Sequence, residues 1–203
     1  VVRRVVNLAK FTEGGTSGAR RFYEAPAVAY VASGGQKKLV VAVASGYRAH
    51  PLEKAVEERV YVLHDDTVFL SDNDNYEVPS PIGTGDLLEV TNVSNATDQN
   101  LAGKKGWVMY LDKNGEKAMA SPVIFNGRLL LTTYSPDTGD QDADPCKVRY
   151  GRSYLYVMDL MTSRPAPLTN DGEVSDSRRE ELAAQTPVSQ PQVIAQEGGT
   201  VAV

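Results

Sequence analysis

The sequence predicts an all-β fold built from β-propeller blades: antiparallel four-stranded sheets, about three blades of a larger ring, with one short helix in an insertion. Two observations carry this expectation. Between Gly115 and Pro165 three strand-like runs follow one another with no room for a crossover helix, and a hairpin of one form recurs three times along the sequence. Sheet repeats in a chain of this size are the mark of propeller blades.

The central stretch sets the pattern. An apolar run from Ala118 to Phe125 reaches Asn126-Gly127, the dipeptide that most readily supplies the positive φ angles of a two-residue hairpin, and Arg128 to Tyr134 is the return strand. After an acidic loop, Ser153 to Asp159 forms the next strand, with the β-branched and aromatic content of a half-buried pleated surface. The other copies follow this plan. Ala25-Pro26-Ala27-Val28 runs to Gly34-Gly35 and returns as Leu39 to Gly46, while Gln190-Pro191-Gln192-Val193 runs to Gly198-Gly199 and returns as TVAV. Arg59 to Leu63 extends the first copy as Tyr154 to Asp159 extends the second, and Val1 to Leu8 resembles that strand of an earlier blade.

The expected layout is therefore the end of a preceding blade at 1–8, a blade at 20–66, a polar insertion at 67–105, a blade at 106–168, a helical spacer at 169–187 and the start of a closing blade at 188–203. Strands are expected at Ala27–Tyr30, Leu39–Ala44, Val60–Leu63, Trp107–Leu111, Pro122–Phe125, Leu129–Thr133, Tyr154–Met158 and Val193–Ala195. The helix falls at about Arg178 to Gln185, where Ser177-x-x-Glu180 has the form of a capping box. The sequence opens in a strand-like run without Met, which reads as a piece of a longer precursor.

Composition narrows the function classes. Apolar residues at 41% and charged residues at 23% describe a globular protein rather than a disordered one. A net charge of −5 argues against nucleic acid or an anionic membrane as the main partner, since both call for clustered Lys and Arg. No apolar run approaches the roughly 20 residues of a membrane-spanning helix.

Residues with chemical potential form no complete constellation. His50 and His64 are the only imidazoles and support neither a Ser-His-Asp nor a Cys-His arrangement. Asp140, Asp142 and Asp144 are the candidate metal ligands, because their alternation matches the opening of a calcium loop; Pro145 then stands in place of the turn glycine and Gly151 in place of the closing Glu. Asp72-Asn73-Asp74-Asn75 departs sooner, at Tyr76. Ser135-x-Asp137-x-Gly139 opens like the Asp-box of sialidase propellers but continues as Gln141-Asp142. Trp107, the single tryptophan, sits in a strand and is expected to pack between sheets. Cys146, the single cysteine, has no partner for a disulfide and no activating base.

The order ARRFYEAPAV, VVAVASGYRAHPLE (Val40 to Glu53), ERVYVL, GWVMYLDKNGEKAMASPVIFNGRLLLTTYSP and SYLYVMDLMTSRPA resembles the C-terminal propeller of the type IV pilus biogenesis and tip-adhesin family, PilY/PilC type. Its most specific parts are Ser45 to Leu52 and the series Gly106-Trp107, Gly115-Glu116-Lys117, Ser121-Pro122 and Phe125-Asn126-Gly127. The resemblance implies a non-enzymatic surface protein that primes pilus assembly and contributes to adhesion and twitching motility. It implies a place at the bacterial cell surface and pilus tip, reached through the periplasm and outer membrane. The implied partners are minor pilins or other pilus proteins, the rest of its own precursor completing the propeller, and a host surface receptor. The family's calcium loop lies upstream of this sequence, so calcium belongs to the complete protein and none of that loop's ligands falls on this chain. The alternative reading is a glycan-binding or glycan-processing propeller.

Overall fold

The computed structural model describes residues 8, 20–33, 36–66, 81–136, 150–167, 177–196 and 199–202. The first sheet contains β1 (Ala27–Ser33), β2 (Gln36–Ala44), β3 (Arg59–Asp65), the two-residue β4 (Leu88–Glu89) and β5 (Gly106–Tyr110), in the order β1-β2-β3-β5-β4. All neighbours are antiparallel except β4, which lies parallel to β5. β6 (Lys117–Ala118), β7 (Val123–Phe125), β8 (Arg128–Ser135), β9 (Arg152–Asp159) and β10 (Arg179–Leu182) make the second sheet. Its order is β10-β9-β8, with β6 and β7 sharing the far edge of β8. A third hairpin pairs β11 (Val193–Gln196) with β12 (Gly199–Ala202).

The expected all-β architecture is present, and each predicted strand is found within a few residues of its expected bounds. β2 and β3 read as continuous apolar runs because the first sheet buries both faces. Val40, Ala42, Ala44, Val60 and Val62 point into one cluster, while Val43, Tyr61 and Leu63 alternate into another on the opposite face. The first cluster is shared with the second sheet through Leu129, Leu131, Tyr154, Tyr156 and Met158, so the main core lies between the two sheets. Trp107 is fully buried there, and its indole nitrogen donates to Leu160 O at 3.0 Å. The expectation that it packs between sheets holds. At the β7–β8 hairpin Asn126 and Gly127 take φ of 46° and 72°, the paired left-handed angles that the turn requires.

Two expectations are corrected. Residues 178–185 do not form a helix: Arg179–Leu182 is β10, paired antiparallel with β9 from Arg179↔Tyr156 to Leu182↔Ser153. A helix this short is marginal alone, whereas the open edge of β9 offers ready hydrogen-bond partners. Ser177 is no helix cap either, since its hydroxyl donates to Arg179 O and accepts from Arg179 N in a local turn. The one described α-helix is α1, Asp98–Leu101, inside the 67–105 insertion and capped by Thr97, whose side chain accepts from Asn100 N.

Second, β5 does not open the second blade. It pairs with β3 from Arg59↔Tyr110 to Leu63↔Gly106 and supplies the fourth rank of the first sheet. β10 fills the same rank in the second sheet, so Arg179–Leu182, expected to be part of a helical spacer, belongs to the sheet. β2 (the VVAVA run) lies between β1 and β3, and the edges of the first sheet are β1 and β4. The Gly34-Gly35 turn, residues 1–7, the Asp72–Asn75 run, Asp140, Asp142, Asp144 and Cys146 lie outside the described residues.

Candidate functional site

The segments that carry the family resemblance meet at the junction of the two sheets. β2 ends at Ala44, and the backbone turns at Ser45-Gly46, where Ser45 N donates to Arg59 O at 2.9 Å, Gly46 N to Arg21 O at 2.9 Å and Ala118 N to Ser45 O at 3.1 Å. The Gly46 backbone is pressed against β6: a Cβ there would lie 2.0 Å from Ala118 O. Only glycine permits that approach.

Next to this contact, Lys117 is buried, with 1% of its surface exposed. Its ammonium donates to Pro51 O at 2.8 Å and to Glu53 O, so it holds the loop that follows Gly46. Burial pulls the Lys117 pKa down, against the raising influence of Glu53 and Glu58. Glu58 is itself buried, and burial pushes its carboxyl up, against the lowering influence of Ser45 and Lys117.

On the other side of β6, Glu116 extends into the second sheet. Its Oε1 accepts from Thr133 Oγ1 at 2.6 Å and Tyr156 OH at 2.8 Å, and its Oε2 accepts from Lys113 N at 3.3 Å. The Arg179 guanidinium stands 3.6 Å from that oxygen. Burial raises the Glu116 carboxyl, while these donors and Arg179 work to lower it. Arg179 also donates to Asp112 Oδ1 at 2.6 Å and to Tyr156 OH at 3.1 Å. Burial works to lower Arg179, but Tyr156 and Asp112 outweigh it and hold the guanidinium above its ordinary value. Tyr156 is raised, first by burial and then by Glu116.

Arg178, just ahead of β10, has different partners from its neighbour. It is buried, and it donates to Val90 O at 2.6 Å and to Thr91 O, crossing from the second sheet to the insertion of the first. Together Thr91, Tyr110, Asp112, Tyr156, Arg178 and Arg179 line a polar cavity of about 200 Å³ between the sheets. This is the strongest site geometry among the described residues.

The residues singled out from sequence fall elsewhere. His50 is exposed, with its ring 5.8 Å from that of Tyr47. His64 is buried, its Nε2 has no hydrogen-bond partner among the described residues, and burial lowers its pKa to about 4. The two rings belong to different surroundings and form no shared site. Asp140, Asp142 and Asp144 lie outside the described residues, and among the described residues no three His, Cys, Asp or Glu gather as a metal site. Sequence reasoning missed Arg178 and Arg179, which it placed in the helix. The signal available was an adjacent Arg pair ahead of a short charged run, and nothing in the pattern marked that run as a strand.

A second feature is exposed. The segment 20–24 alternates: Arg20 is buried and donates to Glu57 O at 3.0 Å, Phe22 packs against Tyr61, and Arg21 and Tyr23 point outward. Tyr23 stacks on Tyr47 with centroids 6.2 Å apart, and the Arg21 guanidinium lies 3.9 Å from the centre of the Tyr47 ring.

No family model and no curated protein matches the chain. Among solved structures, the crystal structure of the Pseudomonas aeruginosa PilY1 C-terminal domain is similar, with a TM-score of 0.61 and 13% sequence identity. The match covers 95% of this chain and 45% of that one, so the chain spans less than half the length of that domain. The chain therefore shares the fold of the PilY1 C-terminal domain over nearly its whole length. No helix among the described residues is long and apolar enough to cross a membrane.

Proposed function

We propose that this chain is part of a type IV pilus-associated protein, an adhesin or assembly factor at the pilus tip that works by contact and without catalysis. The observation that carries the reading is the fold shared with the PilY1 C-terminal domain over 95% of the chain. The placement of the resemblance motifs supports it: Gly46, Trp107 and Lys117 are buried and join one sheet to the other, and buried Glu116 ties the start of β6 to β8 and β9, so the motif residues preserve a scaffold. The buried charges are engaged in hydrogen bonds between strands and loops. Exposed aromatic and basic side chains such as Tyr23 and Arg21 then offer contact surface on that scaffold.

In this reading the chain supplies about three blades of a ring that other parts of its precursor complete. Its partners are minor pilins or other pilus proteins and a surface receptor, and it acts at the bacterial cell surface. The test is deletion of the gene in its own bacterium and complementation with the full-length protein, either unchanged or carrying Tyr23→Ser with Leu52→Ser on the exposed loops. The unchanged protein is expected to restore piliation and adhesion, and the variant to restore piliation with weaker adhesion. Normal piliation and adhesion in the deletion strain, or glycan hydrolysis by the purified protein, would overturn the reading.

A further inference from the structure

Two guanidiniums, Arg178 and Arg179, and one carboxylate, Asp112, line the cavity between the sheets. A guanidinium offers five N–H groups and accepts none. Arg178 uses its two terminal nitrogens on the carbonyls of Val90 and Thr91, and Arg179 uses Nη1 on Asp112 and Tyr156. Among the described residues nothing accepts from Nε of either arginine or from Nη2 of Arg179, yet none of these nitrogens is among the buried polar atoms without a partner. They are reached by solvent, and both side chains line the cavity.

The two guanidiniums are paired unequally, although the Asp112 and Glu89 carboxylates act on Arg178 from a distance. Arg179 has Asp112 at 2.6 Å and Glu116 at 3.6 Å, whereas Arg178 has neutral carbonyls as its partners and no ion pair among the described residues. A buried cation satisfied only by carbonyls is costly unless an anion joins it. Glu116 is not available for that, since Thr133, Tyr156 and Lys113 already donate to it.

We propose that this cavity binds a carboxylate, held by the unspent N–H groups of Arg178 and Arg179 and bordered by Tyr110, Tyr156 and Thr91. The fork geometry of guanidinium suits a planar carboxylate, and about 200 Å³ leaves room for that group on a short stem. An acidic side chain, the free C-terminus of a polypeptide and a sugar acid share this chemistry. The site goes beyond the pilus reading and stands or falls separately from it.

Isothermal titration calorimetry on the full-length protein tests the assignment. The probes are succinate, N-acetylneuraminic acid and a short peptide with a free C-terminus, each against its amide or methyl ester. At least one acid is expected to bind at least tenfold more tightly than its neutral counterpart, and the tightest of the three names the source. Arg178→Gln should remove that preference. Because Arg178 also bridges the sheets, Val93→Trp serves as a second variant: it fills the cavity from its wall and should weaken the acid at least tenfold while leaving the thermal unfolding transition in place. Equal binding of acids and neutral counterparts, or an acid preference unchanged in both variants, would overturn the proposal.

Discussion

A Cβ on Gly46 would lie 2.0 Å from the carbonyl oxygen of Ala118, although Gly46 follows β2 of the first sheet and Ala118 lies in β6 of the second. That contact is where two segments far apart in sequence lock together, with Ala118 N donating to Ser45 O at 3.1 Å beside it. The obstructing atom is backbone and has little freedom to withdraw. Gly46→Ala is therefore expected to cost about 3 kcal/mol or more, through the displaced β6 rather than through altered φ. Gly85 is the control, because a Cβ added there would meet nothing within 4 Å, and Gly85→Ala should stay within about 0.5 kcal/mol. Urea denaturation of both variants checks the contrast; equal midpoints would remove the argument.

Lys117 and Glu58 are both buried charges beside the Gly46 loop, and each influences the other's pKa. Lys117→Met strips two carbonyls of their donor and removes one of the two cations, with Arg20, that lower the Glu58 carboxyl. The expected cost is about 1–3 kcal/mol, as for leaving buried acceptors without their donor. Glu58→Leu made together with Lys117→Met should cost less than the two separate changes added, by about 1 kcal/mol or more. A double-mutant cycle measured by denaturant unfolding decides it, and strict additivity would show that the pair is not coupled.

These sites also mark how far the sequence could be read. β2 and β3 were legible because strands buried on both sides read as apolar runs, β8 and β9 through their Leu129–Leu131 and Tyr154–Met158 cores, and Asn126-Gly127 announced its turn. β10 was not, because Arg-Glu-Glu-Leu has helix-forming composition and becomes a strand only through the open edge of β9. The place of β5 was misjudged for a related reason: it pairs with β3 across the whole insertion, and local pattern does not encode so distant a partner. At the junction, Glu116 and Lys117 stood out as motif residues, but charged side chains are ordinarily exposed, so their burial was invisible. Nothing local indicated that Arg178 and Arg179 would border a cavity.

His64 gives the protein a pH-dependent loss of stability. Burial holds its folded pKa at about 4, below the unfolded value of 6.5, so between these values the unfolded state binds a proton that the folded state refuses. The contribution is fully present above pH 6.5 and is lost as pH falls toward 4. A shift of this size corresponds to about 3 kcal/mol. Unfolding free energies measured from pH 7.5 to 4.5 should fall more steeply for the unaltered protein than for His64→Leu. Parallel curves would place the source of any acid sensitivity in other groups.

Trp107 joins the sheets by volume and by one hydrogen bond. The indole is fully buried on β5, and its Nε1 donates to Leu160 O, which follows β9 in the second sheet, at 3.0 Å. The two contributions separate by substitution. Trp107→Phe keeps most of the ring volume but leaves the buried Leu160 carbonyl without that donor, an expected cost of about 1–3 kcal/mol. Trp107→Ala adds a cavity between the sheets and should cost about 3–5 kcal/mol. Because the indole bridges the sheets, the loss should also appear as faster amide exchange in β9 as well as in β5. Hydrogen exchange on Trp107→Phe reads this directly: faster exchange confined to β5 would mean that the indole supports its own sheet and that the bond to Leu160 contributes nothing to holding the second.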